Sequence, residues 1–110
     1  MKCVIKDGKL ILPEGFCLPE KEMIMCPNLM GEIRLYTQKS WDDLCECVKS
    51  IEDEHIQKAM LRMLFCSAVI IDGEKKEIEL NENMSDMLMD GEAELTAEDD
   101  CIVVKNLSNI

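Results

Sequence analysis

The sequence predicts an α+β fold in which two similar β-rich halves flank a pair of helices. The first observation is an Asp-Gly pair that interrupts an apolar run twice, at Asp7-Gly8 and, 65 positions later, at Asp72-Gly73. The second is that apolar residues change from strand spacing to helical spacing between the two pairs. Such a pair between apolar runs predicts a β-hairpin, because glycine adopts the positive φ of the turn. Since a half of about 40 residues is rarely stable alone, we expect the halves to share one core.

Each half contains two predicted strand pairs. The first pair lies on either side of the Asp-Gly turn. In the first half, the strand after the turn is 9–12; in the second half, the strand 68–71 before the turn is joined to the strand 77–80 after it. The next pairs are 22–26 with 33–36 in the first half and 92–96 with 101–104 in the second. The predicted order in each half is β-β-short helix-β-β, and either Asn81 or Asn83 can cap the second short helix, which runs through Met89. Because this arrangement repeats, the two halves must be explained together.

Two longer helices are predicted between the halves. Ser40 is a good N-cap for the first, and Asp43, three residues later, can complete a variant of the capping box. Its apolar residues follow at helical spacing: Trp41, Leu44, Cys45, Val48 and Ile51. Asp53 can cap the second helix, which runs to about Ser67. The apolar stripe of that helix consists of Ile56, Ala59, Met60, Met63 and Leu64.

The net charge of −11 is unevenly distributed along the chain. Residues 1–39 carry six basic and five acidic side chains, hence +1, whereas residues 40–110 carry six and eighteen, hence −12. Nucleic-acid affinity comes largely from neutralising phosphates, so an acidic chain needs its cations concentrated on one face. Only the N-terminal half could present such a face. The alternative interpretation is that a mostly acidic surface keeps the protein soluble.

The motifs provide neither a catalytic constellation nor a metal site. The seven cysteines include no Cys-x-x-Cys pair, and Cys45 and Cys47 would face different sides of a helix, so we expect free thiols. The single histidine, His55, follows an acidic run, and neither a Gly-rich phosphate loop nor a Gly-x-Ser-x-Gly motif occurs. We therefore expect a binding or assembly protein, with no enzyme activity, no cofactor and no metal.

The sequence also predicts a cytoplasmic location and no membrane partner. No apolar stretch approaches the roughly 20 residues that span a bilayer. The N-terminal residues become charged again too soon for the apolar core of a signal peptide.

Three segments, in this order and spacing, resemble the MraZ family of bacterial regulators, which are built from two AbrB-like swapped-hairpin repeats. Residues 8–13, Gly-Lys-Leu-Ile-Leu-Pro, are similar to the family's Gly-Arg-Leu-x-Ile-Pro. Leu35-Tyr36, followed by Trp41 and Leu44, resembles its Leu-Tyr-Pro…Trp…Leu stretch. The third segment, similar to the family's Arg-x-Phe-Phe…Ala…Leu-Asp, is Arg62-Met63-Leu64-Phe65, Ala68 and Ile71-Asp72.

The resemblance implies a swapped-hairpin β-barrel of two pseudo-repeats, 1–39 and 68–110, with the helical pair 40–67 between them in one compact domain. It also implies assembly into a ring or other homo-oligomer that binds repeated promoter sites as a transcriptional regulator, and a nucleoid-associated location if DNA binding is retained. The residues that would contact DNA are the lysines near the two turns: Lys6, Lys9, Lys75 and Lys76. Lys9 stands where the first repeat of the family has arginine, and Lys76 roughly fills the second position.

Departures from the family pattern favour a second hypothesis. Lysine at both arginine positions lacks the planar fork that reads guanine bidentately, and Glu74 and Glu77 flank the second pair of lysines. The alternative is a protein–protein interaction module of the same fold that has lost DNA binding and co-assembles with a basic homologous partner. For Lys6 and Lys9, a further interpretation is a charged hairpin edge that discourages unwanted strand pairing.

Overall fold

The computed structural model describes residues 1–28, 31–98 and 101–106. These residues form eight strands and three helices: β1 (Lys2–Lys6), β2 (Lys9–Ile11), β3 (Glu22–Pro27), β4 (Ile33–Tyr36), α1 (Gln38–Lys49), α2 (Glu54–Ser67), β5 (Val69–Asp72), β6 (Glu77–Glu79), α3 (Glu82–Met87), β7 (Gly91–Ala97) and β8 (Cys101–Asn106). The strands make one antiparallel sheet in the order β5-β3-β4-β8-β7-β1-β2-β6, curled into a nearly closed barrel. The α+β class predicted from the sequence is therefore confirmed.

Strand pairing joins the two halves of the chain. Four of the seven ladders connect a strand that precedes the helices with one that follows them: β1 with β7, β2 with β6, β3 with β5, and β4 with β8. The barrel interior contains fully buried side chains from both halves, such as Leu10 on β2 and Val104 on β8. The halves thus share one core, as the sequence predicts.

The helical pair covers one side of the barrel from outside. Trp41 and Val48 of α1 and Leu64 of α2 pack on outward side chains of β3, β4 and β8 in a second apolar cluster. These three strands are consequently buried on both faces, which explains their nearly continuous apolar sequences. No helix of the described residues covers the outer faces of β1, β2, β6 and β7 in this way, and along these strands buried residues alternate with exposed or partly exposed ones.

The helix caps confirm most of the predicted starts. The carboxylate of Asp53 accepts hydrogen bonds from the backbone N–H groups of His55 and Ile56, and the Asn81 side chain accepts one from Met84. The predicted cap of α1 is wrong. Thr37 is the N-cap, its hydroxyl accepts from the N–H of Ser40, and Ser40 lies inside the first turn. Both residues suit an N-cap, so composition alone could not separate them.

The two Asp-Gly pairs differ in outcome. The first forms the predicted two-residue turn, with positive φ at both Asp7 (52°) and Gly8 (73°), and β1 pairs with β2. The predicted hairpin at Asp72-Gly73 is wrong: β5 and β6 do not pair with each other but lie at opposite ends of the strand order. The N–H of Gly73 donates instead to the carbonyl of Lys21, 2.6 Å away, which holds the segment after β5 beside the start of β3.

The short helix predicted for the first half is also absent from the structure. Residues 12–21, all of which are described, connect β2 to β3 without a helix, whereas α3 occupies the corresponding place in the second half. Pro13 and Pro19 explain the difference, because proline lacks the N–H that a helix interior requires and disfavours helical backbone at the residue before it. A turn in which Phe16 donates its N–H to the carbonyl of Pro13 replaces the helix.

Candidate nucleic-acid interface

Lys6 and Lys9 lie on either side of the first turn. They are register partners at the end of the β1–β2 ladder, where Lys6 is exposed and Lys9 is partly buried. The backbone N–H of Leu80, just after β6, donates to the carbonyl of Gly8 at 2.9 Å and holds the turn against the second half of the chain. The hairpin therefore presents two amines from a fixed backbone.

Lys75 and Lys76 lie in the loop 73–76 that connects β5 to β6. The ammonium of Lys76 donates to the carbonyl of Phe16 at 2.8 Å, and its own carbonyl accepts from the N–H of Leu12 at 2.9 Å. The Lys75 side chain is exposed, and its backbone N–H bonds to the carbonyl of Asp72. Of this pair, the exposed side chain of Lys75 is accessible to an external phosphate, whereas Lys76 bonds the loop to the segment that follows β2.

The two turns lie at opposite ends of the β2–β6 ladder. Gly8 is adjacent to Leu80 at one end, and Leu12 is adjacent to Lys76 at the other. The two turns that carry the candidate lysines therefore do not form one continuous tip. The ladder contains only three residue pairs, however, and a cleft of about 830 Å³ between β5 and β6 is lined in part by Lys9, Lys75 and Lys76. The structure brings these three lysines together and leaves Lys6 outside the cleft.

Carboxylates offset the positive charge around this cleft. The ammonium of Lys9 lies 3.8 Å from the carboxylate of Glu77, and Glu79 is its register partner on β6. The three lining lysines are matched by three lining carboxylates, those of Asp72, Glu77 and Glu79, so their formal charges cancel. Outside the cleft, Lys2 on β1 pairs with Glu92 on β7 at 3.6 Å. A phosphate approaching the lysines would have to compete with these carboxylates.

One cation that the sequence did not single out is Arg34, on the outer face of β4. Burial opposes its charge, but the hydrogen bond and charge of Tyr36, with further charges of Cys101 and Glu32, outweigh burial and raise the pKa of the guanidinium. Its ion pair with Glu32 measures 3.5 Å. The sequence of β4 gave no signal for this side chain, because Arg34 lies between two apolar positions as any outward charged residue on a strand does.

The seven cysteines, all of which lie in the described part of the chain, form no disulfide, and four of them are buried: Cys3, Cys26, Cys45 and Cys101. Burial raises the pKa of Cys3 to about 11, and burial together with the nearby Cys45 thiol raises that of Cys26 to about 11 as well. Because the thiolate is the reactive form, these buried thiols are poor nucleophiles at neutral pH. Cys45 is buried and Cys47 is exposed, as their spacing on a helix predicts.

The described residues contain neither a cluster suited to a metal ion nor a helix suited to crossing a membrane. Within 1–28, 31–98 and 101–106, no three His, Cys, Asp or Glu side chains are placed to hold a metal ion. Among the helices of the same residues, none has the length and apolar character needed to span a bilayer. Comparison with protein-family models and with curated proteins found no match to this chain.

Proposed function

We propose that this chain is a DNA-binding transcriptional regulator of the MraZ/AbrB type that acts as a homo-oligomer. The observation that carries the proposal is the symmetry of strand pairing. Each strand of the first half, β1 to β4, has a counterpart in the second half, β5 to β8 in the same order. When every strand is replaced by its counterpart, the β1–β7 ladder becomes the β5–β3 ladder, and the β2–β6 and β4–β8 ladders are each mapped onto themselves. Two repeats that exchange strands produce this pattern, which supports a swapped-hairpin barrel and the division into 1–39, 40–67 and 68–110.

The symmetry is incomplete at two places. The second repeat contains α3, which has no counterpart among residues 12–21, and its β5 and β6 remain apart where β1 and β2 pair. Divergence of the second repeat is consistent with its acidic sequence, since 68–110 includes both glutamates that face Lys9. The first hairpin then becomes the main DNA contact in the proposal.

In the proposed complex, Lys6 and Lys9 neutralise phosphates and Lys75 adds a contact from the cleft. Lys76 stabilises the loop through Phe16 and contributes less. A subunit of net charge −11 would bind weakly by itself. Several hairpins in one oligomer, acting on repeated sites, would raise the effective affinity without new contacts. The proposal assigns no catalytic residue and no cofactor, and it places the protein in the cytoplasm, at the nucleoid when bound.

Exposed apolar side chains support self-association. Ile56 and Phe65 on α2 are 51% and 59% exposed, and Ile70 on β5, which follows α2 directly, is 72% exposed. Of the apolar stripe predicted for this helix, Leu64 is buried, Met60 and Met63 are partly buried, and Ile56 and Ala59 are exposed within one chain. Exposed apolar side chains on α2 and on the strand that follows it become buried when subunits associate through them. Light scattering should therefore find an oligomer, and a compact monomer would contradict this part of the proposal.

A gel-shift assay with DNA from upstream of the protein's own coding region tests DNA binding. At about 50 mM salt we expect a complex that weakens steeply as salt increases. The double variant Lys6→Ala with Lys9→Ala should reduce the slope of log affinity against log salt by about two. The matched control, Lys58→Ala with Arg62→Ala, removes two exposed cations from α2 and should leave the slope unchanged. Absence of any salt-sensitive complex would contradict the proposal.

The balance of charges around Lys9 favours a second candidate function. The Lys9–Glu77 ion pair and the neutral cleft suit a protein–protein interaction module that co-assembles with a basic homologous partner. A pull-down with such a homologue, performed in parallel with the gel shift, separates the two functions. Co-assembly without DNA binding would select this candidate, and DNA binding without co-assembly would exclude it.

A further inference from the structure

The β5–β6 seam is the opening between the edge strands of the barrel, β5 (Val69–Asp72) and β6 (Glu77–Glu79). Each of these strands pairs on one side, β5 with β3 and β6 with β2. Within the described part of the chain, neither has a strand on the side that faces the seam. In an antiparallel ladder, alternate residues direct their N–H and C=O groups to opposite sides, so both edges direct backbone donors and acceptors into the opening. Such edges are templates for an additional strand.

The inner wall of the seam is apolar. Ile71 and Ile78 are buried in the barrel core, and Val69 and Leu80 pack against it while partly exposed. A strand that entered the seam would bury its inward side chains against these four residues. Apolar, β-branched side chains at alternate positions suit such a wall.

The outer lips of the seam, formed by its two edge strands, are acidic, and the lysines that line the seam lie outside these strands: Lys9 on β2, and Lys75 and Lys76 in the loop 73–76. The two edge strands carry the three carboxylates Asp72, Glu77 and Glu79 and no cation. All three side chains are exposed, and Lys9, the nearest cation on the neighbouring strand, is already paired with Glu77. Opposite charges on directly facing strand positions stabilise a ladder. The outward positions of an incoming strand next to β6 should therefore be lysine or arginine.

We propose that the β5–β6 seam binds an extended peptide strand of a partner protein in which basic and β-branched apolar residues alternate. The backbone edges, the apolar inner wall and the acidic lips each specify one feature of this ligand, a mode known as β-augmentation. The seam volume of about 830 Å³ lies in the range of sites that hold a drug-sized ligand, which is the size of a short peptide segment. Since β5 and β6 run in opposite directions, the bound strand is antiparallel to one and parallel to the other. This inference does not rest on DNA binding.

Fluorescence anisotropy with a labelled peptide of sequence Lys-Val-Lys-Val-Lys-Val-Lys tests the proposal. We expect saturable binding to the wild-type chain. The variant Glu77→Lys with Glu79→Lys should bind about tenfold more weakly, because two facing charge pairs become repulsive. The matched control, Glu92→Lys with Glu94→Lys, makes the same charge change on β7, which is paired on both sides, and should change the affinity much less. Equal weakening in both variants, or no binding at all, overturns the proposal.

A second peptide distinguishes strand addition from charge attraction. Lys-Pro-Lys-Val-Lys-Pro-Lys has the same charge but lacks two backbone donors, and we expect it not to bind. Equal binding of both peptides overturns the proposal. Hydrogen exchange gives the location: the peptide should slow exchange at amides within Val69–Asp72 and Glu77–Glu79. If these amides become protected at high protein concentration without peptide, a second copy of the chain occupies the seam and the proposed ligand is wrong.

Discussion

The β1–β2 and β5–β6 segments contain the same Asp-Gly pair but differ in what the glycine contacts. Gly8 has positive φ, its Cβ position is open apart from the Ser85 hydroxyl at 3.7 Å, and the turn it forms closes β1 on β2. At Gly73 an added Cβ would lie 1.9 Å from the carbonyl oxygen of Glu20. The first glycine therefore serves a turn, and the second allows two backbone segments to approach closely.

This difference shows how one local motif is redirected by its tertiary surroundings. The carboxylate of Asp72 accepts from the N–H of Glu74 at 2.9 Å, a local turn that continues into the loop rather than reversing the chain in two residues. The Gly73–Lys21 hydrogen bond then keeps the chain beside β3. As a result β6 pairs with β2 and not with β5, and the seam between β5 and β6 stays open. The open seam and the closed hairpin should respond differently to the same substitutions.

Isoleucine truncation should give the largest contrast. Ile5 on β1 is 1% exposed, and Ile5→Ala should lower the free energy of unfolding by about 3 to 4 kcal/mol through lost burial and a cavity. Ile70 on β5 is 72% exposed within one subunit, and Ile70→Ala should change the free energy of unfolding of the dissociated subunit by less than about 0.5 kcal/mol. Urea denaturation of both variants measures the contrast. A large loss for Ile70→Ala would mean that another chain buries it.

Glycine substitution should give the next largest effect. Gly73→Ala should cost about 2 to 3 kcal/mol, because the backbone of Glu20 must move to admit the methyl group. Gly8→Ala should cost about 1 kcal/mol from the left-handed backbone alone. Denaturation curves for the two variants decide this order. A reversed order would show that the loop after β5 can move away from Glu20 freely.

The buried thiol of Cys3 gives β1 a pH dependence that has no counterpart on β5. The pKa of Cys3 rises from 9.0 to about 11 on folding, so between these pH values the unfolded chain loses its proton first. The contribution of such a thiol to the free energy of unfolding should therefore be constant below about pH 9 and fall up to pH 11, by about 2 kcal/mol for each thiol. Cys26 contributes in the same direction. The variant Cys3→Ala should show a smaller decrease than the wild-type chain, and an unchanged decrease would contradict the assignment.

The Lys9–Glu77 ion pair should contribute least. The two side chains are 44% and 58% exposed, and pairs in such positions are screened by solvent. A double-mutant cycle with Lys9→Ala and Glu77→Ala should give a coupling of about 0.5 kcal/mol that decreases with salt. A coupling several times larger, insensitive to salt, would indicate that the β2–β6 ladder depends on this pair.

Sequence reasoning identified the strands and helices better than their partners. The strands at 22–26, 33–36, 92–96 and 101–104, the helical spacing from Trp41 onward and the cap at Asp53 are local properties, and the structure confirms them. Of the two caps that the sequence allows for α3, the structure has Asn81. Pairing depends on contacts between distant segments. The approach of Gly73 to Glu20 involves residues 53 positions apart, and no local pattern signals it. Three of the four candidate lysines line one cleft only because β2, which carries Lys9, pairs with β6, which follows the loop that carries Lys75 and Lys76.

Amide hydrogen exchange on the free protein at low concentration tests the open seam most directly. In β1, which pairs with β2 and β7, the amides on both sides should be protected. In β5, amides directed at β3 should be protected, and the alternate amides directed into the seam should exchange orders of magnitude faster. Uniform protection along Val69–Asp72 would mean that the barrel is closed in solution, and would contradict both the contrast between the two segments and the binding site inferred from it.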